Sequence, residues 1–382
     1  MTSVARNARA RPVLADAERV VVKIGSSLLI DAKTGRLNRP WLENLADEIA
    51  RLLARGQQVM IVSSGAIALG RRYLGLTSDQ RRLEDHQAAA AAGQVLLAHA
   101  YRELLDQRDV RIAQILLTLE DTENRRRYLN ARSTLETLLR LSVVPVINEN
   151  DTVATQEIRY GDNDRLAARV AEMASADCLI LLSDVDGLYD ADPGEHVNAR
   201  LIPEVHEITA KVESLAGASA TSFGSGGMVT KLAAAKISMA AGCATVIANG
   251  RRSNPIEALE AGGPCTWFIP RNTPRAARKQ WIAGSLTPRG RLTIDAGAER
   301  ALDKGSSLLP VGVVSVEGDF QRGDSVSIHG ADGRDLARGL ISYSARDAKI
   351  IQGRRSDEIE QLLGYAGRDE MIHRDNLVLL DG

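Results

Sequence analysis

The sequence predicts an α/β protein: an open αβα sandwich on a mostly parallel sheet, followed by a small β-rich domain. Three observations carry that expectation. Apolar, β-branched runs alternate with helical periodicity through about residue 270. Most of those runs empty into Gly, Ser, Asn or Asp. Beyond residue 280, short strands and Gly-Asp turns replace the helical pattern. Near-continuous apolar strands between helices indicate a parallel sheet with both faces covered, and ligands of such sheets sit beyond the carboxyl ends of the strands.

The elements follow in order. "RVVVKIGSSLLI" (19–30) is a buried strand, "RPWLENLADEIARLLARG" an amphipathic helix, and "QQVMIVSSG" (57–65) the next strand. A long Ala-rich helix covers roughly 85–107; a strand "VRIAQILLT", a helix through 121–141 and the strand "VVPVINEN" come next. After a polar stretch come the helix "DRLAARVAEMASA", the strand "DCLILLSDVDG" (177–187), the helix "MVTKLAAAKISMAAG" and the strand "ATVIANG". "IPRNTPRAARKQW" holds two prolines and a cluster of bases, which suits a linker. The expected division is a disordered tail at 1–15, a large domain at 16–270, a linker at 271–280 and a small domain at 281–382.

Composition narrows the function classes. Of 382 residues 44% are hydrophobic, ample for a large core, and the formal net charge of −1 offers no global field for nucleic acid or membrane. Cys178, Cys243 and Cys265 are far apart and form no CxxC pair, so neither a disulfide framework nor a zinc site is supported. That usage fits a reduced, cytoplasmic setting. No apolar run approaches the roughly 20 residues that span a bilayer. "MTSVARNARARPVLA" is Arg-rich without an apolar core segment and reads as a frayed tail rather than a secretion signal.

Several segments could carry chemistry. In "VVKIGSSLL", Lys23 near a strand end and the Gly-Ser-Ser after it offer an ammonium and backbone N–H groups to phosphate; a lysine snorkelling from the sheet is the structural alternative. In "GSGGMVTK" (224–231), Ser225, Gly226, Gly227, Met228, Val229, Thr230 and Lys231 lead into a helix whose N-terminus attracts anions. Lys231 would oppose that dipole unless an anion were present. In "VSSGAIALG", Ser63 and Ser64 are either helix caps or ligand contacts; no G-x-S-x-G setting or triad partner favours a nucleophile. In "LLSDVDGLYDADP", Ser183 and Asp184 close a strand, as nucleotide contacts or a plain turn, and EF-hand spacing is absent. The stretch "INENDTVATQEIRYGDND" (147–164) crowds five acids and three asparagines after a buried strand.

Together "VVKIGSS", "VSSGAIALG", "INENDTVAT", "GDNDRLAA", "LLSDVDGLYDADP", "GSGGMVTKLAAA" and "GSSLLPVGVVSVEGDFQRGDSVSI" resemble the amino acid kinase family, in the branch that phosphorylates glutamate and carries a C-terminal PUA domain. The resemblance spans all but the N-terminal tail. It implies transfer of a phosphoryl group from ATP, with Mg²⁺, to the γ-carboxylate of L-glutamate, which opens proline synthesis. It implies Lys23 and Lys231 on the phosphates, Asp164 orienting both, and Ser64, Asp151, Asn163 and Asn148 on glutamate. Within "NEND", Asp151 would meet the substrate ammonium and the amides its carboxylates. Ser183, Asp184 and residues 225–231 would line the nucleotide site. No protein side chain is assigned to the metal. Where relatives commonly show Thr-Asp and Thr-Gly-Gly, this chain has Ser183-Asp184 and Ser225-Gly226, which keep the hydroxyls.

A homotetramer, feedback inhibition by proline and hand-over of product to glutamyl-phosphate reductase are implied in the same way. Charge is balanced in the last domain and no aromatic-lined basic stripe is present, which counts against RNA as a partner. The PUA-like tail and the "NEND…GDND" pair argue against an acetylglutamate or carbamate kinase. The missing glycine fingerprint argues against a nicotinamide-dependent dehydrogenase.

Overall fold

The computed structural model describes residues 11–31, 33–76, 82–153, 163–217, 227–284 and 287–380, in two compact units, 1–274 and 275–382. The first unit runs β1 (Arg19–Ile24), α1 (Ser26–Leu29), α2 (Arg39–Ala54), β2 (Gln58–Ser63), α3 (Ala66–Tyr73), α4 (Leu83–Asp106), β3 (Ile112–Leu117), α5 (Leu119–Glu123), α6 (Arg125–Arg140) and β4 (Val144–Glu149). It continues with α7 (Asn163–Ala174), β5 (Cys178–Ser183), β6 (Glu204–Val205), α8 (Ala210–Gly217), α9 (Met228–Ala240), β7 (Ala244–Asn249), α10 (Pro255–Glu260) and β8 (Cys265–Phe268).

One sheet orders these strands β3-β4-β2-β1-β5-β7-β8-β6. From β3 to β7 all neighbours are parallel; β8 is antiparallel to β7, and β6 is parallel to β8. The expected mostly parallel sheet is present. Its central strands are apolar on both faces because both faces are covered. Val20, Val22 and Ile24 pack into a core with Leu42, Leu45 and Ile49 of α2 and Leu97 and Leu104 of α4. Val21 packs on the other side with residues of α6, α7 and α9. α7 buries Leu166, Ala167, Ala168, Val170 and Ala171, and the alanines let its backbone approach both β1 and α9.

The second unit begins with α11 (Pro274–Gly284), its first residue excepted, and holds β9 (Gly290–Ile294), α12 (Ala296–Asp303), β10 (Val313–Gly318), β11 (Ser325–His329), β12 (Asp335–Leu340), α13 (Ala345–Ile351), α14 (Ile359–Leu363) and β13 (Leu377–Leu379). Its sheet order is β10-β9-β11-β12-β13, around a core that includes Leu292, Phe320, Val326, Ile328 and Ile372. Two expectations change. The segment 271–280 is not an extended linker: Pro274 opens α11, a position where its missing N–H costs nothing. Residues 11–15 are not frayed either. Leu14 is buried, and its carbonyl accepts a hydrogen bond from Gln57 Nε2 at 2.9 Å.

α3 and α4 cross with almost no separation. A Cβ on Gly70 would lie 1.7 Å from Ala89 O, and one on Gly93 1.7 Å from Ala66 O. An alanine in place of a helical glycine ordinarily stabilises by about 1 kcal/mol. Here Gly93→Ala is expected to destabilise by about 2–3 kcal/mol, as overpacked sites do, because carbonyl oxygens and not flexible side-chain ends stand in the way. Urea unfolding checks this, and a stabilised variant would show that the helices part freely.

Glu48 of α2 is buried and accepts a hydrogen bond from the Glu257 backbone N–H at 2.7 Å, in the first turn of α10. Burial pushes its carboxyl up from 4.5 to about 7, against the opposing pull of that hydrogen bond and of Arg51. The folded protein therefore binds more protons than the unfolded chain between those two values, and stability falls as pH rises through that window. Glu48→Gln removes this dependence. Measured by denaturant unfolding at pH 5 and pH 8, the difference between variant and parent should move in the variant's favour by on the order of 2 kcal/mol.

Candidate active site

Strand alternation sets the first contact. With Val20, Val22 and Ile24 facing α2 and α4, Lys23 shares the opposite face with Val21, beneath α7 and α9. There Lys23 Nζ lies 2.6 Å from Asp164 Oδ1, and Lys231 Nζ lies 3.2 Å from Asp164 Oδ2. Thr230 Oγ1 donates to the same Oδ2 at 3.1 Å. Asp164 is 0% exposed, Lys23 5% and Lys231 6%, so water does little to screen these charges. The three groups together carry one net positive charge.

Each helix start treats its charge differently. Asp164 stands in the first turn of α7, where the dipole favours a carboxylate. Lys231 stands in the first turn of α9, where the dipole disfavours an ammonium, and Asp164 offsets that. The α9 N-terminus also offers backbone N–H groups after Gly227, beside which an added Cβ would find nothing within 4 Å. The arrangement suits an anion: backbone N–H groups at a helix start, a positive dipole end and two ammonium groups.

A second cluster lies beside it. Asn163 Nδ2 donates toward Ser63 O at 2.8 Å, Ser64 Oγ at 2.9 Å and Asn148 Oδ1 at 2.9 Å. Asn148 Oδ1 also accepts from the Glu149 N–H at 2.9 Å, and Asn148 Nδ2 donates to Gln94 Oε1 at 2.8 Å. Ser63 Oγ and the Tyr101 hydroxyl lie 3.0 Å apart, and burial raises the Tyr101 phenol well above its usual range. Gly65, at φ +98°, turns the chain from β2 into α3 and leaves Ser64 at the mouth.

The expected residues thus fall into groups. Lys23, Asp164 and Lys231 meet, and Ser64, Asn148 and Asn163 meet. Asp151 is half-buried in the turn after β4. Ser183 is buried at the end of β5 and donates to Asp184 Oδ1 at 3.2 Å, while Asp184 Oδ2 lies 3.6 Å from Arg251 Nη2. Ser225 and Gly226 lie outside the described residues. The Asn163 amide N–H groups point to protein acceptors, Ser63 O, Ser64 Oγ and Asn148 Oδ1. Sequence reasoning missed Gln94, Tyr101 and Arg251. Gln94 had a signal, a lone amide in the buried helical stripe of Ala90, Leu97, Tyr101 and Leu104.

Residues 18–249 match the amino acid kinase family, and residues 290–363 match the PUA domain. The chain belongs to the amino acid kinase family. This kinase is 60% identical over 366 residues to a glutamate 5-kinase of Paramagnetospirillum magneticum, covering 96% of this chain and 99% of that one. It is 59% identical over 359 residues to the glutamate 5-kinase of Rhodospirillum rubrum, covering 94% and 96%. Among solved structures, carbamate kinase from Giardia lamblia bound to AMP-PNP aligns with a TM-score of 0.49 at 18% identity, over 67% of this chain and 100% of that one. Among the described residues no helix is long and apolar enough to cross a membrane.

Asp164→Asn keeps the shape and removes the charge between the lysines. It should cost about 3–5 kcal/mol of folding stability, the usual penalty for stranding a buried charge. Denaturant unfolding measures it, and a loss below about 1 kcal/mol would mean that the lysines find other counter-charges.

Proposed function

We propose that this kinase transfers the γ-phosphoryl group of ATP to the γ-carboxylate of L-glutamate, giving L-glutamyl 5-phosphate and ADP, as the entry to proline synthesis. The observation that carries the proposal is the buried Lys23–Asp164–Lys231 arrangement beside the Ser64–Asn163–Asn148 cluster. Near-full-length similarity to glutamate 5-kinases supports the choice of substrate.

A carboxylate with a pKa near 4.3 is already ionised at neutral pH, so the acceptor needs no general base. The obstacle is an anion attacking an anion. Lys23 and Lys231 neutralise the phosphoryl oxygens, and the α9 N-terminus directs its N–H groups at them. Asp164 keeps both ammonium groups in place so that little reorganisation accompanies transfer. Ser183, Asp184 and the segment through Lys231 hold the nucleotide. Ser64, Asn163, Asn148 and Asp151 hold glutamate in line with the phosphate. Mg²⁺ would be carried by the nucleotide's own phosphates and keep several waters, so the reading requires no dedicated cage of protein side chains. Mg²⁺ bound there supplies further charge neutralisation. Cytoplasmic location, a homotetramer, feedback by proline and hand-over to glutamyl-phosphate reductase belong to the same reading. A sizing run with and without proline tests assembly and feedback.

Trapping the product as a hydroxamate tests the reaction. ATP, glutamate and hydroxylamine should yield γ-glutamyl hydroxamate, and product from another acid in its place would overturn the substrate assignment. Lys231→Ala should lower kcat by about 10³-fold or more, as loss of a transition-state contact does, with glutamate affinity by calorimetry within about threefold. Retained turnover would remove Lys231 from the transition state.

A further inference from the structure

Three amides stand in a row, Gln94 and Asn148 buried and Asn163 half-buried, and two backbone contacts show which way they point. Ser63 O is a carbonyl and can only accept, so the Asn163 atom 2.8 Å from it is the NH₂ group. The Glu149 N–H can only donate, so the Asn148 atom 2.9 Å from it is Oδ1. Asn148 Nδ2 then points at Gln94, whose Oε1 accepts it at 2.8 Å. Reversing any one amide would set two oxygens or two NH₂ groups against each other in a site where Asn148 is 3% and Gln94 9% exposed. The Asn163 NH₂ already faces three acceptors with two protons. Among the described residues nothing donates to Asn163 Oδ1, so the amide atom left for a ligand is an acceptor.

An acceptor at this position suits an ammonium group and repels a carboxylate. We propose that Gln94, which touches no substrate, is a positioning residue: through Asn148 it holds Asn163 with its carbonyl oxygen toward the substrate, and this polarity selects an α-ammonium. The inference rests on the glutamate reading above and sharpens it, giving Asn163 a share of the ammonium that sequence reasoning assigned to Asp151 alone. Gln94 reaches the row from α4, whose neighbouring Gly93 meets α3 at Ala66, so this close crossing sets the depth of Gln94.

The test compares glutamate with glutarate, the same carbon skeleton without the ammonium, in the hydroxamate assay on the full-length protein. Gln94→Met keeps the length and removes the acceptor, leaving Asn148 Nδ2 without a partner. It should raise the glutamate KM about tenfold, lower the glutamate-over-glutarate preference in kcat/KM about tenfold, and leave the ATP KM within twofold. Gln94→Glu keeps an acceptor at the same place and should hold the preference within about threefold of the parent. A Gln94→Met variant with lowered Tm and unchanged preference would overturn the proposal, since Gln94 would then be structural only. Should Gln94→Met fail to fold, a tenfold loss of preference in Gln94→Glu would overturn it alone. If the parent forms no hydroxamate with glutamate, the glutamate reading itself falls and the inference with it; a parent active on glutamate with either failure above sinks the inference alone.

Discussion

One carboxylate held between two ammonium groups is the constraint around which the site is organised. Asp164 is fully buried, and a buried carboxylate is tolerable only when its oxygens are matched by charge and hydrogen bonds. Lys23 takes one oxygen; Lys231 and Thr230 take the other. Those partners come from β1 and from the first turn of α9, so the pairing also fixes how α7 and α9 sit over the sheet. Its chemical value is that two cations, costly to bring together, stand ready for a third group that is negative. An uncharged residue at 164 would give neither the proximity nor the readiness.

The amide row is the neutral counterpart of that charged triad. Both start from adjacent residues, Asn163 and Asp164, at the opening of α7. Successive residues in the first turn of a helix point in different directions, so one faces the ammonium pair while the other faces Ser64 and Asn148. Two adjacent side chains thereby link the lysine pair to the amide row. The glycine contact between α3 and α4 supports this from below: it brings Gln94 close enough to complete the row, and a side chain at either glycine would widen the gap.

Much of this was legible in the chain. Apolar runs with polar ends located the strands and the functional edge, because a parallel sheet leaves only its carboxyl ends for ligands. The acid-rich stretch 147–164 marked Asn148, Asn163 and Asp164, since strand ends and helix starts have recognisable chemistry. Gln94 was not legible in the same way. Its partner is 54 positions away, and an amide inside an Ala-rich helix carries no sign of what it will meet. Nor could the direction of the Asn163 amide be read, because a sequence does not distinguish the two ends of an amide.

The sequence by itself determined the α/β class, the β-rich second unit, the family and most of the residues at the mouth, since these follow from periodicity, turn chemistry and motif order. Tertiary structure alone decided that Leu14 is buried, that residues 274–284 are helical, that Asp164 bridges both lysines, and that the Asn163 N–H groups turn inward. The physical reason is the same in each case. Local patterns specify which element a residue joins, but charge pairing, hydrogen-bond polarity and burial depend on which distant element packs against it.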